Sequence, residues 1–188
     1  MMILKFKHLF ILGLMILLVL SGCSQAKKFE PDNFSKDDLA IIKEDDSKFK
    51  LSYGMSRTDV EKLLGNAKED SMNSRISNYD FGVKVMYRED SVAGIMLTED
   101  SKEIYQTARG ASVGMTKEQI KEVYGSKYAL GDHNIDYIYD SKNDRFIESP
   151  GSKEAEDLEQ IYSMSAMVVD GEVNSIFLMD YRMGTRMD

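Results

Sequence analysis

Cysteine, histidine, proline and tryptophan are scarce in this chain of 188 residues, which has one Cys, two His, two Pro and no Trp. A single cysteine cannot form an intramolecular disulfide bond, and a zinc site needs several Cys or His ligands. Basic residues are also few, since 24 Lys and Arg stand against 32 Asp and Glu and the formal net charge is −8. A nucleic-acid surface needs clustered positive charge. We therefore expect no cofactor, no metal and no nucleic-acid partner.

The N-terminus has the parts of a bacterial lipoprotein signal peptide. Lys5 and Lys7 precede an apolar run at 9–20, which is shorter than the roughly 20 residues that a transmembrane helix needs. Leu20-Ser21-Gly22-Cys23 follows and resembles the sequence at which lipoprotein precursors are acylated, with palmitate or similar chains, and cleaved before the Cys. The sequence predicts a signal peptide at 1–22, cleavage between Gly22 and Cys23, and lipidation of Cys23. The mature domain is then expected on the extracytoplasmic side of the cell membrane.

Residues 23–48 are predicted to form the lipidated N-terminus and a tether. Within them, Ser35 and Asp38 have the spacing of a helix cap, and the apolar residues of 39–42 are expected to continue that helix. A strand is expected at 49–53, where apolar and polar residues alternate.

One segment of thirteen residues occurs twice. Residues 53–65 (YGMSRTDVEKLLG) return at 113–125 as VGMTKEQIKEVYG. Ser56 and Thr116 are placed to cap a short helix, and Gly65 and Gly125 can take the positive φ that closes it. Spacings of three and four residues predict one buried face on each helix, made of Val60, Leu63 and Leu64, and of Ile120, Val123 and Tyr124.

A second pair of matching segments, 92–97 (VAGIML) and 173–178 (VNSIFL), has the composition of strands. Each follows another apolar run, and Asp170-Gly171 before the second segment is a strong hairpin signal. The helices are offset by 60 residues and the strands by 81, so the second copy has about 21 extra residues, expected near 141–161. The predicted organisation is repeat 1 at 49–107 and repeat 2, with this insertion, at 108–188.

The pattern Gly-Met-[Ser/Thr]-x-x-x-[Val/Ile]-x-x-[Leu/Val]-x-Gly, followed by a hairpin, resembles the repeat shared by the β-lactamase inhibitor protein and the BamE/SmpA lipoproteins. The similarity covers about 55–188 and is most specific in the two helices and the last hairpin. The resemblance implies an α+β fold of tandem helix-plus-antiparallel-sheet repeats, with the helices packed on one sheet face. It also implies a protein that binds other proteins, and it carries over no catalytic residue.

Residues suited to polar catalysis are few once 1–22 are removed. His133 is then the only imidazole, and its neighbours have the composition of a turn, so we expect an exposed loop residue. The acidic residues show no spacing that singles out a general acid and a nucleophile. Oxygen-bearing side chains at 140–148 could bind calcium, but Arg145 stands where an EF-hand loop needs Gly.

The methionines of the mature chain are dispersed along it. Thirteen are present in the full sequence, and ten remain after Met1, Met2 and Met15 are removed with the signal peptide. Their wide spacing favours places in the core and on the surface over a copper site.

Three classes of function remain open: a non-catalytic protein-binding or inhibitory module, a structural or assembly factor of the cell envelope, and a carboxylate-based hydrolase. The first class fits the membrane tether and the family resemblance, and its partner is expected to be an envelope or extracellular protein.

Alternation along the strands predicts where such a partner binds. One set of side chains is expected to face the core: Phe81, Val83, Val85, Tyr87, Ile95, Leu97, Ile176 and Leu178. The opposite face is the predicted binding face: Met86, Met96, Phe177, Met179 and Tyr181. An apolar second face is either a platform for a partner or is covered by the segments at 141–161 or 39–42.

Overall fold

A computed structural model describes residues 29–71, 75–131, 133–149, 151 and 154–185. The predicted signal peptide and Cys23 lie outside these residues. No helix within the described ranges is long and apolar enough to cross a membrane.

Short antiparallel strands make up most of the described fold. They are β1 (Ala40–Lys43), β2 (Asp46–Ser52), β3 (Glu69–Ser71), β4 (Ile76–Asn78), β5 (Val83–Arg88), β6 (Ser91–Leu97), β7 (Tyr105–Thr107), β8 (Ala129–Leu130), β9 (Asn134–Asp140), β10 (Arg145–Phe146), β11 (Ile161–Val169) and β12 (Glu172–Asp180). One sheet has the order β2-β1-β7, and the larger sheet has the order β10-β9-β11-β12-β6-β5-β4-β3, with β8 also beside β9.

The helices are short. They are α1 (Arg57–Leu64), α2 (Lys117–Tyr124), α3 (Ala155–Leu158) and α4 (Tyr181–Thr185), with single 3₁₀ turns at Lys36–Asp38 and Glu99–Ser101.

The inner face of the large sheet forms the centre of the core. β12 pairs with β6, which brings Leu178 beside Ile95, and β5 continues the same row with Val85. All three side chains are at most 1% exposed. The expected inward set is confirmed except for Phe81, which lies in the turn before β5 with a φ of 54° and is 57% exposed.

Both predicted helix caps are present. The Ser56 hydroxyl accepts a hydrogen bond from the Asp59 amide at 3.2 Å, and the Thr116 hydroxyl accepts one from the Gln119 amide at 3.3 Å. Gly65 and Gly125 close the helices with φ of 81° and 101° and ψ of −172° and −162°. This backbone has the predicted positive φ, but its extended ψ puts it in a region open almost only to glycine rather than in the left-handed helical one.

Equivalent backbone hydrogen bonds join each helix motif to the strand predicted to belong to it. The Gly54 amide donates to the Val92 carbonyl at 2.8 Å, and the Gly114 amide donates to the Val173 carbonyl at 2.8 Å. The hairpin at Asp170-Gly171 is also confirmed, because both residues have positive φ, 53° and 91°.

The predicted fold class, an α+β fold of tandem repeats with helices packed on one sheet face, is wrong. The molecule is mostly antiparallel sheet, and its few helices are not packed as repeats. An eight-residue helix has only about two turns and cannot cover a wide sheet. Of the predicted α1 face only Val60 is fully buried, while Leu63 is 40% exposed.

The three-stranded sheet supplies apolar side chains to the main core in place of longer helices. Leu39, Ile41, Leu51 and Tyr105 belong to the same buried cluster as the inner face of the large sheet. This small sheet combines β1, which precedes repeat 1, with β2 and β7 at the two ends of repeat 1, and no second three-stranded sheet occurs among the described residues. The two halves of the chain therefore contribute differently to the core.

From residue 29 onward the N-terminal segment is part of the fold and not a tether. The capped turn at Ser35 is present, but the helix ends at Asp38 and residues 40–43 form β1, so the prediction of a helix through 42 is wrong. The segment is held in place because Phe34 is 1% exposed and Ile41 is completely buried.

Candidate functional site

The outer face of the large sheet, opposite the core, carries the predicted binding residues. Phe177 on β12 and Met96 on β6 are cross-strand neighbours, and both are half-buried. The same row continues to Ser165 on one side and to Lys84 on the other. An apolar pair flanked by polar side chains therefore remains partly accessible on this face.

The next row of the outer face consists of Met179, Gly94 and Met86 on three adjacent strands. A methyl group built on Gly94 would lie 2.7 Å from Met86 Cε and 3.1 Å from Met179 Cβ. The missing side chain at Gly94 thus leaves room for the two methionines to converge. Met183 on α4 joins Met86 and Ala93 in one cluster and is only 5% exposed. The C-terminal helix α4 therefore covers this row.

A buried carboxylate fixes the start of α4. Asp180, which is completely buried, accepts hydrogen bonds from the Tyr53 hydroxyl at 2.6 Å and from the Met183 amide at 2.8 Å. It also receives both terminal nitrogens of Arg88, at 2.7 and 3.2 Å. Paired, multiply bonded charges of this kind are needed to offset the cost of burial.

The pKa values around Asp180 follow from this arrangement. Burial, and next the hydrogen bond to Asp180, raise the pKa of Tyr53 far above its ordinary value, so the hydroxyl remains a donor. Burial acts to lower the pKa of Arg88, but the hydrogen bond and charge of Asp180 outweigh it and raise the pKa. Arg88 and Asp180 therefore form a structural ion pair that also receives the Tyr53 hydroxyl.

The predicted insertion covers the other end of the outer face. Leu158 on α3 is 4% exposed and packs with Ile138 and Ile161. Tyr181 packs against the same cluster, because the chain leaves β12 at Asp180 and turns into α4. Tyr181 is therefore not a strand residue in line with Phe177, and the prediction that it extends the strand is wrong. Glu159 ties the insertion to α4 by accepting a hydrogen bond from Arg182 at 2.6 Å.

The predicted binding face thus consists of a covered part and a partly accessible part. Met86, Met179 and Tyr181 are wholly or partly covered by α3 and α4, whereas the Phe177–Met96 pair keeps part of its surface. The segment at 39–42, the other cover that the sequence allowed, lies instead in the main core on the opposite side.

A buried arginine that the sequence did not indicate fastens the N-terminal segment. The Arg109 side chain is 2% exposed and pairs with Asp38, which is 1% exposed. Arg109 also donates to the Glu30 carbonyl at 2.7 Å and to the Asn33 carbonyl. No spacing could have revealed the pair, because Asp38 and Arg109 are 71 residues apart.

An open cleft of about 800 Å³ lies beside this segment. It is lined partly by Glu30 and Asp32 and partly by the loop before β8 and the β10 region, including Tyr128, Arg145 and Phe146. The Asp32 carboxylate has a structural role, since it accepts hydrogen bonds from the backbone amides of Ser126 at 2.7 Å and Lys127 at 2.9 Å.

The other candidate residues are not brought together. His133 is exposed beside β9. In the 140–148 region the Asp140 carboxylate accepts the Asn143 amide at 3.1 Å, and Asp144 accepts the Tyr139 hydroxyl. Within the described part of the chain, no three His, Cys, Asp or Glu side chains are grouped as metal ligands.

Comparisons with protein-family models, curated proteins and solved structures found no match to this chain. The resemblance seen in the two helix motifs therefore stays a prediction.

Proposed function

We propose that the chain is a lipid-anchored, extracytoplasmic lipoprotein that acts as a non-catalytic protein-binding module, with an envelope or extracellular protein as its partner. The anchor part of the proposal rests on Leu20-Ser21-Gly22-Cys23 after a charged and then apolar N-terminus. The binding part rests mainly on the Phe177–Met96 pair.

Three features make this pair suited to a protein contact. Phe177 and Met96 are direct cross-strand neighbours, so their side chains form one continuous apolar surface. Both lie on rigid strands within a sheet, which limits the entropy lost on binding. Polar side chains, Lys84 and Ser165, flank the pair at both ends of its row, as a polar rim borders the core of a small interface.

The charge of the mature chain favours a protein partner over a lipid headgroup or nucleic acid. Removal of Lys5 and Lys7 with the signal peptide leaves 22 basic and 32 acidic residues, a net charge of −10. Anionic membranes and phosphate backbones are repelled by such a surface.

Site-specific photocrosslinking in cells tests the proposal. A photoreactive phenylalanine analogue is placed at Phe177, and in a control protein at Phe81, which is the same residue type and is 57% exposed. We expect a discrete protein adduct from position 177 that is absent from position 81 and is lost when Met96→Glu is added. Equal labelling from both positions, or no adduct from position 177, contradicts the proposal.

A further inference from the structure

Four methionines that are far apart in the sequence meet on the outer face of the large sheet. Met86 and Met183 are 6% and 5% exposed, and Met96 and Met179 pack against them as half-buried neighbours. They come from three adjacent strands and from α4. We call these four residues the methionine cluster.

Two sulfur atoms of the cluster lie beside glycine residues, which have no side chain. Met86 Sδ lies 3.3 Å from the position of a Cβ on Gly94, and Met179 Sδ lies 3.2 Å from that of a Cβ on Gly184. Gly94 is buried between the two methionines, and Gly184 is exposed on α4. The Met86 sulfur thus lies beside Gly94, next to the Met179 side chain, and the Met179 sulfur lies beside the exposed Gly184.

Thioether sulfur is a soft, neutral ligand that selects Cu(I) and similar soft ions over calcium or magnesium. The charges next to the cluster are balanced, because Asp180 and Glu159 compensate Arg88 and Arg182. Both arginines are paired with carboxylates, so neither is left to repel a cation bound at the cluster. Flexible methionine side chains can also adjust their sulfur positions without a change in the backbone.

We propose that the methionine cluster is a binding site for one soft monovalent metal ion, Cu(I), coordinated by three or four thioethers. Binding forms sulfur–metal bonds only, and no proton or electron is transferred. Met96 belongs both to the cluster and to the Phe177–Met96 pair, but Met86 and Met179 do not belong to the pair, so substitutions at these two residues test metal binding separately from protein binding.

Anaerobic titration with Cu(I) against a coloured chelator, and with Ag(I) followed by thermal melts, tests the site. The full chain in detergent carries Cys23→Ser, which removes its only thiol. We expect one ion per chain and a rise in melting temperature on adding Ag(I). In the double variant Met86→Leu and Met179→Leu we expect at least a tenfold loss of affinity and no Ag(I)-dependent shift.

The control is Met164→Leu, because Met164 is a fully buried methionine of the main core outside the cluster. Leu has nearly the volume of Met, so each variant is expected to fold, which a melt without metal verifies. Should the double variant misfold, Met96→Leu at the half-buried edge of the cluster replaces it, with the same loss of affinity expected. Binding that is absent from the parent chain, or that survives the cluster substitutions, overturns the proposal and leaves an apolar packing role.

Discussion

The two glycines that close the matching helices differ in what surrounds them, which predicts very different effects of the same substitution. Both have positive φ, 81° at Gly65 and 101° at Gly125, so alanine at either position is strained. Strain of this kind costs about 1–3 kcal/mol. A Cβ on Gly65 meets nothing within 4 Å, whereas a Cβ on Gly125 would lie 2.4 Å from the amide nitrogen of Asp32.

At Gly125 the added methyl group must also displace the turn at Asp32. That turn makes three hydrogen bonds here: the Asp32 amide to the Tyr124 carbonyl at 2.9 Å, and the carboxylate from the amides of Ser126 and Lys127 at 2.7 and 2.9 Å. Each such bond contributes about 0.5–1.5 kcal/mol, so their loss adds roughly 2–4 kcal/mol. We expect Gly65→Ala to lower the free energy of unfolding by about 1–3 kcal/mol and Gly125→Ala by about 3–7 kcal/mol.

Urea unfolding of the two variants, followed by circular dichroism, measures this difference. Asp32→Ala serves as a control that removes the carboxylate without a clash, and it should cost about 1–3 kcal/mol. If Gly65→Ala and Gly125→Ala destabilise the protein equally, the N-terminal turn does not pack on the end of α2 as described.

Three further predictions follow from the anchor, the outer face and the N-terminal turn. Cys23→Ser should abolish fatty-acid incorporation in metabolic labelling, and label that persists would show that the anchor is elsewhere. Phe177→Ala should cost about 1–3 kcal/mol in urea unfolding, less than the 3–5 kcal/mol of a fully buried Phe because the side chain is half-buried, and a loss of 4 kcal/mol or more would remove its role as an accessible contact. Burial acts to raise the pKa of Asp32, but hydrogen bonds from the amides of Ser126 and Lys127 outweigh burial and lower the pKa below 3.8. The ionised carboxylate therefore stabilises the fold above pH 3.8, and this stabilisation is lost as the pH falls through the lowered pKa. Parent and Asp32→Asn stabilities should therefore converge in melts below pH 3.8, and a constant gap would contradict the assignment.

Local signals predicted local structure well. The caps at Ser56 and Thr116, the closing glycines and the hairpin at Asp170-Gly171 each depend on residues a few positions apart, and each is present. The short run at 39–42 was assigned wrongly, because a few apolar residues fit either a helix or a buried strand when no longer period is available. The decisive factor was pairing with β2 and β7, the latter about 65 residues away.

Features that depend on distant residues were not predictable from one sequence. The start of α4 is an exception, because Asp180 accepts the Met183 amide only three residues on; this local signal competes with the alternation that predicts a strand through Tyr181. The pairing of Arg109 with Asp38 and the convergence of the methionines also require knowledge of the tertiary fold. The repeated motif predicts two related units, the second with an insertion, yet the small sheet is built from the first part of the chain alone.

The bonds between Arg109 and the N-terminal segment have a mechanical consequence for the proposed lipid-anchored protein. Five residues lie between Cys23 and Phe29, so the two residues are at most about 20 Å apart. A force between the domain and its anchor passes through the segment that begins at Phe29. Arg109 binds the carbonyls of Glu30 and Asn33 and the Asp38 carboxylate, all of which precede β1 in the chain. A pull on the anchor therefore meets these bonds before it reaches β1.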